Sequence, residues 1–393
     1  MSVPDTRQAA PGTPDWAARA GHAARSVTRH FGHRLLFLPG THLAASVRPS
    51  GGLPFRPWNY WWQAHYVDCL VDAGLRELAP GSRFDGGDRP GAGRLASRLV
   101  TTIGLRNGLR YVNNYYDDMA WLALAVLRLD ALAGRARTPG RRRNAFLQRT
   151  LSPQFESAST ADLGGGTFWS TKRDFKNTPA TAPVALYFAR TGKRERAQGL
   201  LDWLDTTLFD PALGLYLDGA WLKEGKLVLA QEIYTYNQGP VLGALLELGG
   251  DANLARAAAV VGSVAEHLTV PGPDGPRRLV LRGEGTGDRG LFTGILVRYL
   301  ALAAGDVRLP APARATATQL VLDTAGALWA GRTTRAGGAN SRKHDDGWLV
   351  FSTEPQRPAS DTYPDGTAVE LSTQLQAWMA LEAAARIRAS VAG

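Results

Sequence analysis

The chain is predicted to be all-α: an (α/α)6 toroid of six inner and six outer helices, with a small β-hairpin insertion. Three observations carry that reading. Apolar residues recur at i, i+3, i+4 and i+7 along most of the 393 residues, which is the helical period. Twelve such segments are separated by Gly or Pro stops at 74–80, Gly108, Gly134, Gly192, Gly249-Gly250, Gly305 and Pro310, so successive helices pair antiparallel. The segments also alternate in character. Residues 115–129 and 235–248 are apolar almost all round, whereas 193–207 carry charge on one face. The first kind is buried on every side and the second forms an outer layer.

Helices are expected at 15–31, 58–78, 92–107, 115–133, 140–150, 180–192, 193–208, 236–248, 251–268, 287–304, 310–328 and 366–388. Residues 1–14, which begin with a Pro-, Ala- and Gly-rich run, are expected to be a flexible N-terminus, and 15–393 a single domain. The strand-like stretches 214–221 and 227–230 flank the turn signal Asp218-Gly219 and the loop Lys223-Glu224-Gly225-Lys226. They predict the hairpin, placed to wall a cleft. The long polar loop 333–363 is expected at the rim or mobile.

Composition narrows the function classes. With 44% apolar and 20% charged residues, the chain has the make-up of a soluble globular protein. It has no apolar run of about 18 residues or more, so no membrane-spanning helix is expected. The N-terminus lacks the apolar region of a secretory signal, so the chain reads as cytoplasmic, or as the mature part of an exported protein. The single Cys69 excludes an internal disulfide and, in an apolar helix, reads as an inert buried thiol.

The net charge of +10 is concentrated in Arg128, Arg135, Arg137, Arg141, Arg142, Arg143 and Arg149. Such a run could meet phosphates of nucleic acid or of an anionic glycolipid. No zinc-finger, helix-turn-helix or RNA-binding pattern accompanies it. Nucleic acid is therefore not expected, contact with an anionic glycolipid stays open, and a solvated Arg-rich face is the plain account. The absence of an H-E-x-x-H or Cys/His cluster predicts no metal, and no cofactor is expected. Gly164, Gly165 and Gly166 lack the Lys-Ser/Thr context of a phosphate loop.

Four clusters mix aromatics with amides or charges just before apolar helices. They are Trp58-Asn59-Tyr60-Trp61-Trp62-Gln63-Ala64-His65, then Asn113-Asn114-Tyr115-Tyr116-Asp117-Asp118. Gly164-Gly165-Gly166-Thr167-Phe168-Trp169-Ser170-Thr171-Lys172-Arg173-Asp174-Phe175-Lys176-Asn177-Thr178-Pro179 and Tyr234-Thr235-Tyr236-Asn237-Gln238-Gly239 follow. A dry core must satisfy every buried amide and charge. A sugar site uses the mixture directly, since hydroxyls need donors and acceptors while ring faces need aromatics. Two carboxyl groups in different protonation states are what glycoside hydrolysis requires. Asp117-Asp118 has a plainer reading too: Asn114 as N-cap, with acids favoured in the first helical turn.

The ordered set resembles glycoside hydrolase family 76, the bacterial and fungal α-1,6-mannanases. The matching elements are 60–65, 115–121, 169–177, 235–239 and Gly294-Ile295-Leu296-Val297-Arg298-Tyr299. The resemblance implies the toroid and retaining, metal-free hydrolysis of α-1,6-linked mannan, in endo mode, with an exo mannosidase or a non-catalytic mannan-binding protein as alternatives. It assigns Asp117 as nucleophile and Asp118 as general acid/base. Trp58, Asn59, Trp61, Tyr115, Tyr116, Trp169, Lys172, Arg173, Asp174, Tyr236 and Asn237 are the expected substrate-binding residues. Independently, the helix N-terminus would favour the Asp117 anion, and that anion with partial desolvation would push Asp118 toward the protonated form.

Overall fold

The computed structural model describes residues 14–49, 58–78, 91–136, 140–223, 226–336 and 347–392. Residues 1–13 of the expected flexible segment 1–14 and parts of the loop 333–363 therefore lie outside the described residues. Thirteen helices are present among them: α1 Trp16–His30, α2 Tyr60–Glu77, α3 Ala92–Arg106, α4 Tyr116–Ala136, α5 Arg141–Ala158, α6 Thr178–Arg190, α7 Arg194–Thr207, α8 Thr235–Leu248, α9 Asp251–His267, α10 Phe292–Gly305, α11 Ala311–Ala330, the single turn α12 Ala359–Thr362, and α13 Leu371–Ala392.

The inner helices α2, α4, α6, α8, α10 and α13 pack neighbour to neighbour, and α13 returns to α2 to close the ring. Outside them, α3 backs α2, α5 backs α4, α7 backs α6, α9 backs α8, α11 backs α10 and α1 backs α13. The chain is thus the predicted (α/α)6 toroid. All twelve expected helices form. The largest difference is α5, which runs eight residues further than the pattern suggested, through Pro153. Proline inside a helix removes one backbone bond and crowds the carbonyl four residues back, but the neighbouring Leu151, Phe155 and Ala158 are buried, so packing outweighs that cost.

Inner helices are apolar because they touch neighbours on every side. Along α4, Met119, Ala120, Leu122, Ala123, Ala125 and Val126 are essentially inaccessible, and each large apolar side chain contributes roughly 1.5–3 kcal/mol by leaving water. Below the apolar layers lies an ionic one. Asp68 and Asp72 on α2 each receive Arg128 from α4 and Arg298 from α10. Burial pushes the Asp72 carboxyl up, but the two guanidiniums outweigh it and hold it below its usual range. Arg128 therefore leaves the Arg-rich surface run expected of it: it is drawn inside by two carboxylates one helical turn apart. Arg143 likewise turns inward, donating to Ser97 O at 2.5 Å.

The predicted hairpin is present with shifted ends: strand Gly219–Lys223 pairs with Lys226–Ala230. It gains a third strand, Phe175–Asn177, which pairs with Gly219–Lys223. A separate ribbon, Thr269–Gly272 with Gly275–Leu281, lies between α9 and α10; its run Pro271-Gly272-Pro273-Asp274-Gly275-Pro276 reads as a loop in sequence. No helix among the described residues is long and apolar enough to cross a membrane.

Candidate active site

The approach to α4 is fixed by the loop 169–171. Tyr115 forms an antiparallel bridge with Ser170, Tyr116 N donates to Trp169 O at 2.8 Å, and Thr171 N donates to Asn114 O at 3.0 Å. An extended Tyr115 cannot join the helix, so α4 begins at Tyr116 and Asn114 stays outside, exposed. The expected Asn114 cap is thus replaced. Tyr115 holds the cap position, its O accepting from Met119 N at 3.3 Å, while Asn113 accepts from Tyr115 N at 2.9 Å and donates its Nδ2 to Asp118 Oδ2 at 2.7 Å.

Asp117 and Asp118 occupy the first turn, and both line the cleft. Asp117 Oδ1 accepts from Asp118 N at 2.8 Å, and its Oδ2 accepts from Trp169 Nε1 at 3.0 Å. Burial, then the adjacent Asp118, lift the Asp117 carboxyl well above the usual range against those two donors. The direction is opposite to that expected from the helix terminus alone, because desolvation penalises the anion more than two N–H groups favour it. Burial also pushes Asp118 up to about 7, with Asn113 opposing and Asp288 adding to the rise. Two carboxyl groups so placed titrate as a unit.

The cleft has a volume of about 1170 Å³. Its second acidic corner is Asp288, delivered by the 3-10 turn Gly287–Leu291 ahead of α10. Asp288 Oδ1 accepts three bonds, from Trp61 Nε1 and Trp62 Nε1 at 2.8 Å each and from Asn59 Nδ2 at 3.2 Å. A fourth acid, Asp218, lies before the hairpin and is pushed up to about 6 by burial, with Asn237 opposing and Glu232 adding. Aromatic pairs complete the walls: Tyr236 stacks on Phe292 at 3.7 Å, and Trp221 stacks on Phe175 at 4.1 Å. Among the described residues no group of three His, Cys, Asp or Glu side chains could hold a metal ion.

Of the residues expected here, Asp117, Asp118, Trp58, Asn59, Trp61, Tyr115, Trp169 and Tyr236 converge on the cleft. The others do not line it. Tyr116 is buried in the core beneath it, and Asn237 reaches no further than Asp218, at 3.4 Å. Lys172, Arg173 and Asp174 form an exposed turn. The Tyr115–Ser170 bridge aims Trp169 inward and the following turn outward: Arg173 takes a φ of 55° and donates to Ser157 O at 3.0 Å. Lys176 is buried below the loop with its ammonium on Thr160, Asp162 and Gly165 oxygens. The glycines 164–166 serve that loop, not a phosphate. A Cβ on Gly166 would lie 2.5 Å from the Trp203 ring, and its φ of +75° suits glycine.

Sequence reasoning missed Asp218, Trp221, Glu232 and Asp288 among the lining residues. Asp288 had a signal: Gly285-Thr286-Gly287-Asp288-Arg289-Gly290 is a polar stretch immediately before an apolar inner helix, as in the four clusters that were recognised.

A family model, described as glycosyl hydrolase family 76, matches residues 106–377. The chain belongs to that family. Among solved structures it is similar to the GH76A α-1,6-mannanase from Salegentibacter sp. HEL1_6, with 28% identity, TM-score 0.76, and coverage of 95% of this chain and 100% of that one. An inactive variant of the same mannanase, with two adjacent aspartates replaced by asparagine, is solved with α-1,6-mannotriose, at TM-score 0.75 over the same coverage with 28% identity. The fold is shared with the family 76 mannosidase from Bacteroides thetaiotaomicron VPI-5482, with 15% identity, TM-score 0.70, and coverage of 97% and 100% of the two chains. A search of curated protein sequences gave no match.

Proposed function

We propose that the chain is a retaining, endo-acting hydrolase of α-1,6-mannosidic linkages, working by double displacement. The observation that carries the reading is the Asp117–Asp118 pair in the first turn of α4, at the floor of an aromatic-walled cleft. In the similar Salegentibacter mannanase, replacing two adjacent aspartates gives an inactive variant that is solved with α-1,6-mannotriose or α-1,6-mannotetrose.

Asp117 attacks the anomeric carbon. The two N–H groups on it fix its orientation and oppose the rise that burial causes, and the pair reacts in its singly ionised state, with the remaining proton on Asp118. Asp118, protonated near neutral pH by its raised affinity, delivers a proton to the departing glycosidic oxygen and then takes one from the water that releases the product. Consecutive residues cannot readily open the gap of roughly 6.5–9.5 Å that an inverting enzyme needs for its water, which supports retention. Asp218, Asp288 and the stacked aromatics supply acceptors and ring faces for the sugars.

Incubation with α-1,6-mannohexaose and anomer-resolved product detection tests all three parts. Early α-anomeric oligosaccharides support the reading. Early β-anomeric product refutes retention, mannose as sole early product refutes endo action, and binding without cleavage leaves a mannan-binding protein.

A further inference from the structure

Beside the cleft the protein displays apolar side chains that the toroid does not need. In the 3-10 turn Leu35–Phe37 and the residue after it, Leu36 is 50%, Phe37 91% and Leu38 49% exposed. Leu36 and Phe37 have φ values of 45° and 62°, a region that non-glycine residues rarely enter. The turn is held in this shape. Thr41 Oγ1 accepts from Leu35 N at 3.1 Å and donates to Leu38 O at 2.6 Å. A clasped, strained turn that points three large apolar side chains into water is built for something other than the core.

The same rim carries Leu105, 40% exposed, and Leu109, 80% exposed with a φ of 62°. The two stretches are tied together by His42 N donating to Thr102 Oγ1 at 3.0 Å, one turn before Leu105. Their charge is one-sided. Residues 31–49 and 98–116 contain Arg34, Arg48, Arg98, Arg106 and Arg110 and no Asp or Glu.

The end of α3, the segment after it and the stretch 31–49 lie toward the cleft end of the ring. Tyr60, which lines the cleft, donates its hydroxyl to Tyr111 O at 2.6 Å. Arg106 at the end of α3 sits 5.5 Å from the ring of Trp58, another lining residue. Leu371 N, opening α13, donates to Ser46 O at 2.8 Å.

We propose that this rim docks on an anionic lipid bilayer, Leu36, Phe37, Leu38 and Leu109 entering the headgroup layer while the arginines meet lipid phosphates. Protruding apolar side chains combined with basic ones are what interfacial binding uses, one giving depth and the other attraction. The acid-free stretches favour a negatively charged surface over a second copy of this chain, whose own rim would repel them. Docked so, the cleft faces the membrane. On the reading of the cleft given above, the substrate is then a mannan chain anchored in that membrane by an anionic lipid.

The full chain is sedimented with phosphatidylglycerol-rich vesicles and with phosphatidylcholine vesicles, and assayed in parallel on soluble α-1,6-mannohexaose. Binding to the anionic vesicles alone, weakening with salt, is expected. The Phe37→Ser/Leu109→Ser variant, altered only at exposed positions, should lose roughly ten-fold in vesicle binding and keep hexaose cleavage. An Arg34→Gln/Arg110→Gln variant should lose salt-sensitive binding. Vesicle binding unchanged in the serine variant overturns the proposal, as does no binding by the parent chain. So does a concentration-dependent dimer that the serine variant abolishes without any vesicle binding. Vesicle binding with no hexaose cleavage would leave docking standing and remove the mannanase reading instead.

Discussion

The indole Nε1 of Trp169 lies 3.0 Å from Oδ2 of Asp117, across 52 residues of sequence. The loop 169–177 therefore orients one carboxylate of the pair, and the β-bridge Tyr115–Ser170 keeps it in register. Trp169→Phe keeps the ring and deletes the donor. Turnover is expected to fall by about 10–100-fold, since a lost preorganised donor has an effect of this order. The donor favours the Asp117 anion, so its removal moves the acidic limb of the pH–rate profile upward. A profile that only scales down, without moving, would show that Trp169 is packing alone.

Asp117→Asn and Asp118→Asn are each expected to remove most turnover, the second by about 10²–10⁴-fold on poor leaving groups. Oligosaccharide binding by calorimetry should persist in both. Near-normal hydrolysis by Asp118→Asn would overturn its assignment as the acid.

Stability should carry the mark of the same residue. Asp118 releases its proton near 7 in the folded chain and near 3.8 as an ordinary aspartate. Its folded-state pKa is raised, so its stabilising contribution is full below about 3.8 and is lost as pH climbs through about 7. Asparagine does not titrate. Asp118→Asn should therefore gain on the parent between pH 4 and pH 8, by at most about 4 kcal/mol, from roughly three units at ~1.4 kcal/mol each. Melting temperatures at the two pH values measure this; parallel shifts would contradict it.

Asp288 raises Asp118 through its negative charge. Asp288→Asn removes that charge while keeping an acceptor for Trp61 and Trp62. Asp118 should then titrate lower, and the basic limb of the pH–rate profile should move down. An unmoved basic limb would mean that another group sets it.

Arg298→Met breaks the ionic layer and leaves Asp68 and Asp72 with one cation between them. Removing one partner of a buried pair typically destabilises by about 3–5 kcal/mol. Denaturant unfolding should show a loss of that order, with little change in KM because the layer lies below the cleft.

Helical period and stop signals made the ring legible, because inner helices such as α8 must be apolar all round to have neighbours on every face. That Asp117 and Asp118 would line the cleft was legible for a chemical reason, two acids at the head of an apolar helix. The residues that escaped notice show what a linear pattern hides. Whether Trp169 or Lys172 faces the cleft depends on a bridge to Tyr115 that only the folded chain makes. Asp288 gains its meaning from two indoles more than two hundred positions earlier. The direction of the Asp117 shift was misjudged because a helix terminus can be read from sequence, whereas the depth of burial cannot.

The bonds from Trp61 and Trp62 to Asp288 also have a temporal meaning. Synthesis delivers the two indoles early, the aspartate pair next, and Asp288 only after nearly three quarters of the chain has emerged. A growing polypeptide can thus hold several finished helices with an unfinished pocket, and the enzyme stays silent until its last inner helices arrive to shut the circle. In refolding experiments, hydrolytic competence should accordingly lag behind the far-ultraviolet helical signal.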